Sequence, residues 1–191
     1  NTNQEELEDM KATGIVRRVD ELGRLVIPKE IRRTMRLAEG TPLEIFTDRE
    51  GQIILKKYSP MMELGSFAKQ YAESVAQTMN QKVAVSDRDQ IIAVAGGGKR
   101  ELLGKTISRQ LEEMIINREN SIQAGLDKKT IPLISGDEDS YSAQAIYPIC
   151  CEGDCIGAVI LYSRENQTHF SETEYKAAAC AASFLGKQME G

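Results

Sequence analysis

The sequence contains a single histidine, His169, and no motif of a catalytic nucleophile. Hydrolase chemistry, which needs a base beside an activated nucleophile, therefore has no support in the residues. The cysteines lack the paired CxxC spacing of a zinc site, and His169 lies close to a helix start, as a surface loop residue would. We expect no metal site, no catalytic residue and no enzyme activity.

Long apolar runs are also missing. No stretch approaches the roughly 20 residues that span a bilayer, and no short apolar segment follows a basic start as in a secretion signal. We therefore expect a cytoplasmic protein without a membrane partner. The four cysteines are Cys150, Cys151, Cys155 and Cys180. In a chain without a secretion signal they favour reduced thiols, so we expect no structural disulfide; redox-active thiols, as in a thiol enzyme, are an alternative.

The chain has 191 residues, of which 41% are hydrophobic and 28% charged, a composition typical of packed proteins. Its length favours two domains. Residues 1–10 are acidic and lack apolar periodicity, which indicates an extension, either natural or left from expression. We predict a first domain over 11–58, a linker or bundle helix over 59–80 and a second domain over 81–191.

The net charge of -5 hides an uneven distribution. Residues 11–58 carry 11 lysines and arginines against 7 acidic residues, a net charge of +4. Residues 1–10 sum to -4 and residues 59–191 to -5. A basic segment on an otherwise acidic chain indicates that this segment meets a polyanion.

The first domain is too small to be stable alone. Turn residues and alternating patterns predict strands, a helix and a hairpin: strands at 15–19 and 24–27, a helix at 29–37, and strands at 42–47 and 52–58 around Asp48-Arg49-Glu50-Gly51. Four strands and one helix in under 50 residues bury too little apolar surface. We therefore expect two chains to share strands in one barrel-like core.

The second domain is predicted to be α+β, an antiparallel sheet with helices on one face. Its helices are expected at 61–79, after a Ser59-Pro60 cap, at 106–118, and after a capping box at Ser171-Glu172-Thr173-Glu174. Its strands are expected at 83–86, 91–95, 131–134, 143–150 and 156–162. The first and last helices carry apolar stripes and are expected to pair, within one chain or also between chains.

Eight basic residues of the first domain form the candidate polyanion site: Lys11, Arg17, Arg18, Arg24, Lys29, Arg32, Arg33 and Arg36. Such a set is often only a solvated face. Arginine outnumbers lysine six to two, and its planar fork suits phosphates and base edges. Dimerisation would double the net charge of the domain to about +8, enough for salt-dependent binding to a nucleic acid.

These residues also carry a resemblance. Residues 11–28 (KATGIVRRVDELGRLVIP), then Glu30-Ile31-Arg32-Arg33, and finally residues 53–58 (IILKKY), resemble the swapped-hairpin DNA-binding domain of AbrB-type transition-state regulators. The resemblance implies a swapped dimer that binds double-stranded DNA. It carries the DNA-contacting role to Arg17, Arg24, Arg32 and Arg33, with Lys11 and Arg18 as helpers.

The remaining chain resembles AbrB-related sporulation regulators with a C-terminal GAF domain. The matching residues include Tyr58-Ser59-Pro60, Glu63-Leu64-Gly65, Phe67-Ala68-Lys69, Asp87-Arg88-Asp89, Gly153-Asp154 and Phe184-Leu185. The resemblance implies an activator and repressor of late sporulation genes in the forespore, assembled as a tetramer from two swapped dimers. An antitoxin-like protein is the alternative, because related swapped-hairpin domains also occur with toxin-binding tails.

Glycines cluster at Gly96-Gly97-Gly98, followed by Lys99 and Arg100. The run lacks the spacing of a phosphate-binding P-loop, which favours a flexible turn between a strand and a helix. In a GAF fold this loop and the helix from Thr106 border the ligand cavity. We expect no known cofactor; a role for an unidentified small-molecule ligand stays open, with no residue assigned to it.

Overall fold

The computed structural model describes residues 13–58, 65–121, 129–137, 141–166 and 168–190. The chain divides into two compact units, residues 1–57 and 58–191. Lys11, Ser59 and Pro60 lie outside the described residues, as do the extension at 1–10 and the first four residues of the helix predicted at 61–79. Within the described part, no helix is both long and apolar enough to cross a membrane.

The N-terminal unit contains one short helix and one hairpin. Helix α1 spans Lys29–Thr34 and begins directly after Pro28, whose ring presets the backbone for a helix. Strands β1 (Leu43–Thr47) and β2 (Ile53–Lys57) pair antiparallel. Their turn is held by Asp48 Oδ1, which accepts hydrogen bonds from the amides of Glu50 and Gln52 at 2.9 and 2.8 Å. The predicted helix and hairpin are therefore present, with a shorter helix.

The strands predicted at 15–19 and 24–27 are not formed in the single chain. Their connection is a turn, closed by hydrogen bonds from the Asp20 amide to the Arg24 carbonyl and from the Gly23 amide to the Asp20 carbonyl, both 3.0 Å. A strand needs a neighbour that donates and accepts along its length. The described part of this unit supplies none beyond the turn, so a pattern typical of strands stays extended but unpaired.

The N-terminal unit has almost no core. Pro28 is the only buried residue among residues 13–57. Eleven large apolar side chains are exposed instead, up to 85% for Val16: Ile15, Val16, Val19, Leu22, Leu25, Val26, Met35, Ile45, Phe46, Ile53 and Leu55. A cleft of about 300 Å³, lined mainly by apolar residues, opens between the extended segments, α1 and the hairpin. Burial within this unit is too small to stabilise it.

The C-terminal unit is built on a four-stranded antiparallel sheet in the order β4-β3-β6-β5. Its strands are β3 (Lys82–Asp87), β4 (Ile91–Ala95), β5 (Ala143–Cys151) and β6 (Asp154–Ser163). Glu152 and Gly153 connect β5 to β6 with φ values of 47° and 90°, as a tight two-residue hairpin requires. These four strands confirm the predicted antiparallel sheet.

The strand predicted at 131–134 is wrong. Only an isolated bridge joins Ile107 to Ile134. The Gln144 side chain instead binds both backbone groups of Ile131, accepting from its amide at 2.9 Å and donating to its carbonyl at 2.7 Å. Because the Gln144 side chain satisfies the backbone groups of Ile131, the apolar run at 131–134 does not need a neighbouring strand at that residue.

Helices cover both faces of the sheet, so the prediction of one covered face is wrong. Helices α2 (Gly65–Met79) and α5 (Glu172–Gln188) pack on one face. Helices α3 (Lys99–Leu102) and α4 (Arg109–Asn117) pack on the other. Along β6, Val159 and Leu161 enter the first core, whereas Ala158 and Ile160 enter the second. Both alternating sets are apolar, and both faces therefore need cover.

The pairing of the two long helices is confirmed. Tyr71 of α2 stacks on Phe184 of α5, with ring centroids 4.8 Å apart. The residues of α2 that are buried are Ala68, Ala72 and Ala76, because small side chains let the helix approach the sheet.

At the start of α5 the predicted capping box is formed between Ser171 and Glu174. Helix α4 begins three residues later than predicted, because Ser108 caps it by accepting from the Leu111 amide at 3.0 Å.

A disulfide joins Cys150 to Cys155, contrary to the prediction of reduced thiols. The two residues are register partners across the β5–β6 hairpin. The hairpin therefore brings their sulfurs together. The prediction of reduced thiols rests on cellular compartment and cysteine spacing, and neither depends on hairpin register. Among the described residues, Cys151 and Cys180 are free thiols.

Gly157 provides a test of the packing between β3 and β6. A Cβ at this position would overlap the carbonyl oxygen of Ser86. We expect Gly157→Ala to lower the free energy of unfolding by about 1–3 kcal/mol, measured by urea denaturation, because the backbones must move apart. Gly65→Ala is the control: among the described residues, no atom lies within 4 Å of its Cβ, and alanine favours helix. Equal stability of the two variants would contradict this packing.

Candidate nucleic-acid interface

The candidate arginines lie on two elements of the N-terminal unit. Arg17 and Arg18 precede the Asp20 turn and Arg24 follows it, and all three are exposed. Arg32 and Arg33 lie on α1 and are also exposed. Lys11 is outside the described residues. The structure thus brings three of the predicted residues to one turn and two to one helix.

The periodicity of α1 sets the direction of its arginines. Ile31 and Met35, four residues apart, line the apolar cleft. Side chains four apart share a helix face, so Arg32 and Arg33 lie on other sides of the helix. Arg17 lines the same cleft. The apolar face of α1 is therefore turned to the cleft, and Arg32 and Arg33 are not part of its lining.

Asp20 fixes the position of Arg24. Its Oδ1 accepts from the amides of Leu22 at 3.0 Å and Arg24 at 2.8 Å, and its Oδ2 accepts from Arg24 Nε at 2.8 Å. The Arg24 amide, and then the Arg24 guanidinium, hold the pKa of the Asp20 carboxyl below its ordinary value. This role of Asp20 was not predicted, although aspartate before a glycine turn is a sequence signal for such bonds.

The glycine run of the C-terminal unit forms a turn between β4 and α3. Gly96, Gly97 and Gly98 all have positive φ. The Tyr162 hydroxyl donates to the Gly97 carbonyl at 3.2 Å, and a Cβ on Gly98 would lie 2.5 Å from that hydroxyl. The predicted turn between strand and helix is therefore present, and Gly98 packs closely against Tyr162 in it.

A polar cluster lies near the same end of the sheet. Arg164 donates from Nη1 to Glu101 at 2.8 Å and from Nη2 to the Tyr141 hydroxyl at 3.0 Å. That hydroxyl donates to Asp137 Oδ2 at 2.5 Å, and burial raises the pKa of Tyr141. These bonds tie Asp137 and Tyr141 to Arg164, which directly follows β6, and to Glu101 of α3. Nothing in the sequence pattern indicated this cluster, because its members are far apart along the chain.

Comparisons with known proteins agree with this two-unit architecture. The family described as "Stage V sporulation protein T C-terminal, transcription factor" matches residues 63–190. The family described as "Antidote-toxin recognition MazE, bacterial antitoxin" matches residues 16–62. A solved GAF domain from an Acinetobacter phosphoenolpyruvate-protein phosphotransferase has a TM-score of 0.51 at 13% identity, covering 70% of this chain and 84% of that one. This likeness concerns the fold alone.

Two curated relatives come from Bacillus subtilis (strain 168). The chain is 50% identical over 181 residues to stage V sporulation protein T, covering 95% of this chain and 99% of that protein. It is 66% identical over 53 residues to the transition state regulatory protein AbrB, covering 28% of this chain and 54% of that protein.

Together the two units define a class, the transcription regulators with an AbrB-like DNA-recognition domain followed by a GAF-like domain. Within that class, the chain belongs to the stage V sporulation protein T family. The predicted α+β fold class, the family resemblance and the function as a transcription regulator are confirmed. The DNA-contacting roles of the arginines stay predictions.

The carboxyl of Asp20 reports on the position of Arg24. We expect Arg24→Ala to raise the pKa of Asp20, because the guanidinium is lost, but only part of the way to the ordinary value, because the two amide donors remain. Carboxyl-carbon NMR titration measures this shift. Arg109→Ala is the control, since Arg109 Nε pairs with Glu113 at 2.9 Å in the other unit. A pKa unchanged by Arg24→Ala would rule out the pair in solution.

Proposed function

We propose that two copies of this chain share the strands of their N-terminal units in a swapped-hairpin dimer. This dimer binds double-stranded DNA, and two such dimers form a tetramer. The burial of a single residue, Pro28, among residues 13–57 carries this proposal. A unit that leaves its apolar side chains in water is stable only when another surface covers them.

A second copy of the same unit is the partner of matching chemistry. The segments at 15–19 and 24–27 carry strand patterns but have no ladder in one chain. Paired with the same segments of another copy, their backbone groups would gain hydrogen bonds. Their exposed residues, such as Val16 and Val26, would enter a shared core with the lining of the cleft. Reciprocal exchange also closes the assembly at two chains.

The dimer would present its arginines to DNA on a continuous surface. Arg17, Arg24, Arg32 and Arg33 contact the DNA, with Lys11 and Arg18 as helpers. Two copies of residues 11–58 carry a net charge of about +8, from +4 in each, which supports binding through the release of counterions. Asp20 holds Arg24 in place before binding, which reduces the entropy lost in the complex. Phosphate contacts and DNA shape share the recognition with a few base contacts.

The C-terminal unit controls assembly or senses a small molecule. Helices α2 and α5 pair within one chain, and in the proposed tetramer they would also join chains. The proposed regulator acts on late sporulation genes, as an activator at some promoters and a repressor at others. It works in the cytoplasm of the forespore, where the chromosome is, and it has no catalytic activity. The ligand of the GAF-like unit would be an unidentified small molecule.

The salt dependence of DNA binding tests the role of Arg24. We expect Arg24→Ala to weaken binding to every duplex and to reduce the slope of log affinity against log salt by roughly 2, about one for each arginine lost from the dimer. Fluorescence anisotropy across a salt series measures both quantities, on a promoter fragment and on an unrelated duplex of equal length.

Arg109→Ala is the matched control for this experiment. It removes the same charge and a similarly spaced surface ion pair, but from the C-terminal unit. Its affinity and salt slope should equal those of the wild type. If Arg24→Ala also left both unchanged, Arg24 would not belong to the interface, and if the wild type failed to bind DNA at low salt, the proposed function would be wrong.

An antitoxin is the second candidate function, because the antitoxin family matches residues 16–62. That match covers a quarter of the chain and leaves the C-terminal unit unexplained. Antitoxins hold a small toxic partner, so the two functions differ in what copurifies with the chain. Recovery of a small toxin in a stoichiometric complex would favour the antitoxin; a homo-oligomer that selects promoter DNA would favour the regulator.

A further inference from the structure

The tip of the β5–β6 hairpin contains a disulfide that the proposed DNA binding does not use. Cys150 and Cys155, register partners at this tip, form the bond. Their exposures differ strongly. Cys150 is exposed, whereas Cys155 is only 3% exposed and lies in the core that α4 covers. Of the two cysteines, Cys150 is therefore the one exposed to a thiol in solution.

We propose that Cys150 and Cys155 form a reversible redox site that exchanges with low-molecular-weight thiols and disulfides. Cys150 is the sulfur that is attacked and carries the small thiol, and Cys155 is the resolving sulfur. The site belongs to the C-terminal unit, and it does not depend on DNA binding.

The exchange proceeds in two balanced steps. A small thiolate attacks Cys150 Sγ, a mixed disulfide forms, and the Sγ–Sγ bond breaks with its electron pair left on Cys155 Sγ, which takes a proton from water. A second small thiolate attacks the small-thiol sulfur of the mixed disulfide and releases Cys150 as a thiolate. The protein disulfide is reduced to two thiols, and two small thiols are oxidised to one small disulfide. Oxidation of the pair runs through the same steps in reverse.

The other two cysteines are less suited to this exchange. Partial burial, with the carboxylates of Glu152 and Glu190, raises the pKa of the Cys151 thiol, so little of it is thiolate at neutral pH. Cys180 lies on α5, outside the β5–β6 hairpin, and as an exposed free thiol it has no second cysteine bonded to it. The pair at the tip is therefore selected by geometry as well as by chemistry.

Reduction of the Cys150–Cys155 pair is expected to affect the β5 side of the hairpin tip more than the β6 side. Arg88 Nε donates to the Cys155 carbonyl at 2.6 Å, and Arg118 donates to the Gly153 carbonyl, so the β6 side stays anchored after reduction. On the β5 side, the carbonyl oxygen of Cys150 packs against Gly186 of α5 so closely that a Cβ there would overlap it. Reduction frees Cys150 from its anchored partner, and the change falls on this contact with α5.

Equilibration of the full-length protein with mixtures of reduced and oxidised glutathione tests the site. Samples are quenched with acid, alkylated and mapped by peptide mass spectrometry. We expect the Cys150–Cys155 bond to open and close with the glutathione ratio while Cys151 and Cys180 stay alkylatable. Cys155→Ser should collect glutathione on Cys150. Cys150→Ser should collect several-fold less on Cys155, because that sulfur is buried, and Cys180→Ser should behave as the wild type.

Three outcomes would overturn the proposed site. In the first, excess reduced glutathione opens the disulfide only in denaturant, and in the second, the pair stays reduced in oxidised glutathione. In the third outcome, Cys150→Ser collects more glutathione on Cys155 than Cys155→Ser collects on Cys150. Hydrogen exchange measures the link to α5. Amides of residues 182–188 should exchange several-fold faster after reduction, while those of α4 keep their rates. Equal rates for residues 182–188 in both states would overturn the link.

Discussion

The scarcity of buried surface in the N-terminal unit is the constraint on which the proposed dimer and its DNA binding depend. Its apolar residues alternate as strands should, yet among residues 13–57 only Pro28 is buried in the single chain. Water around side chains such as Val16 and Val26 opposes any stable arrangement of that unit by itself. A surface supplied by another chain resolves this conflict, and it also brings two sets of arginines together. Assembly and DNA binding thus have one physical cause in the proposed dimer.

The C-terminal unit has the opposite character. Its sheet is apolar on both faces, two helices cover each face, and two separate cores result. Close backbone contacts replace side chains at a few points, as where Gly157 meets Ser86 and Gly186 meets Cys150. Such contacts make the unit rigid enough to fix the relation between its helices and its sheet. Changes at the hairpin tip can then reach α5 without passing through the N-terminal unit.

Sequence patterns predicted most elements of the fold and failed where partners come from elsewhere. Short-range signals were reliable: the Ser171 capping box, the hairpin turn before Gly51, and Pro28 before α1 are all present. The strands at 15–19 and 24–27 are unpaired because a ladder depends on a neighbour, which alternation alone does not supply. The pairing of Cys150 with Cys155 depends on hairpin register, and the role of Gln144 in satisfying Ile131 depends on tertiary packing. At the candidate interface the arginines were predicted, but the restraint of Arg24 by Asp20 was not.

Hydrogen exchange of the full-length protein across a dilution series tests the central claim most directly. The amides of residues 15–19 and 24–27 are the probes, because the single chain leaves them without a ladder. At concentrations where light scattering shows dimers or tetramers, these amides should be protected, and their protection should disappear as dilution produces monomers. Amides of β3 and β6, in the self-sufficient unit, should stay protected throughout. Protection of residues 15–19 and 24–27 in a monomer would contradict the claim that the N-terminal unit needs a second chain.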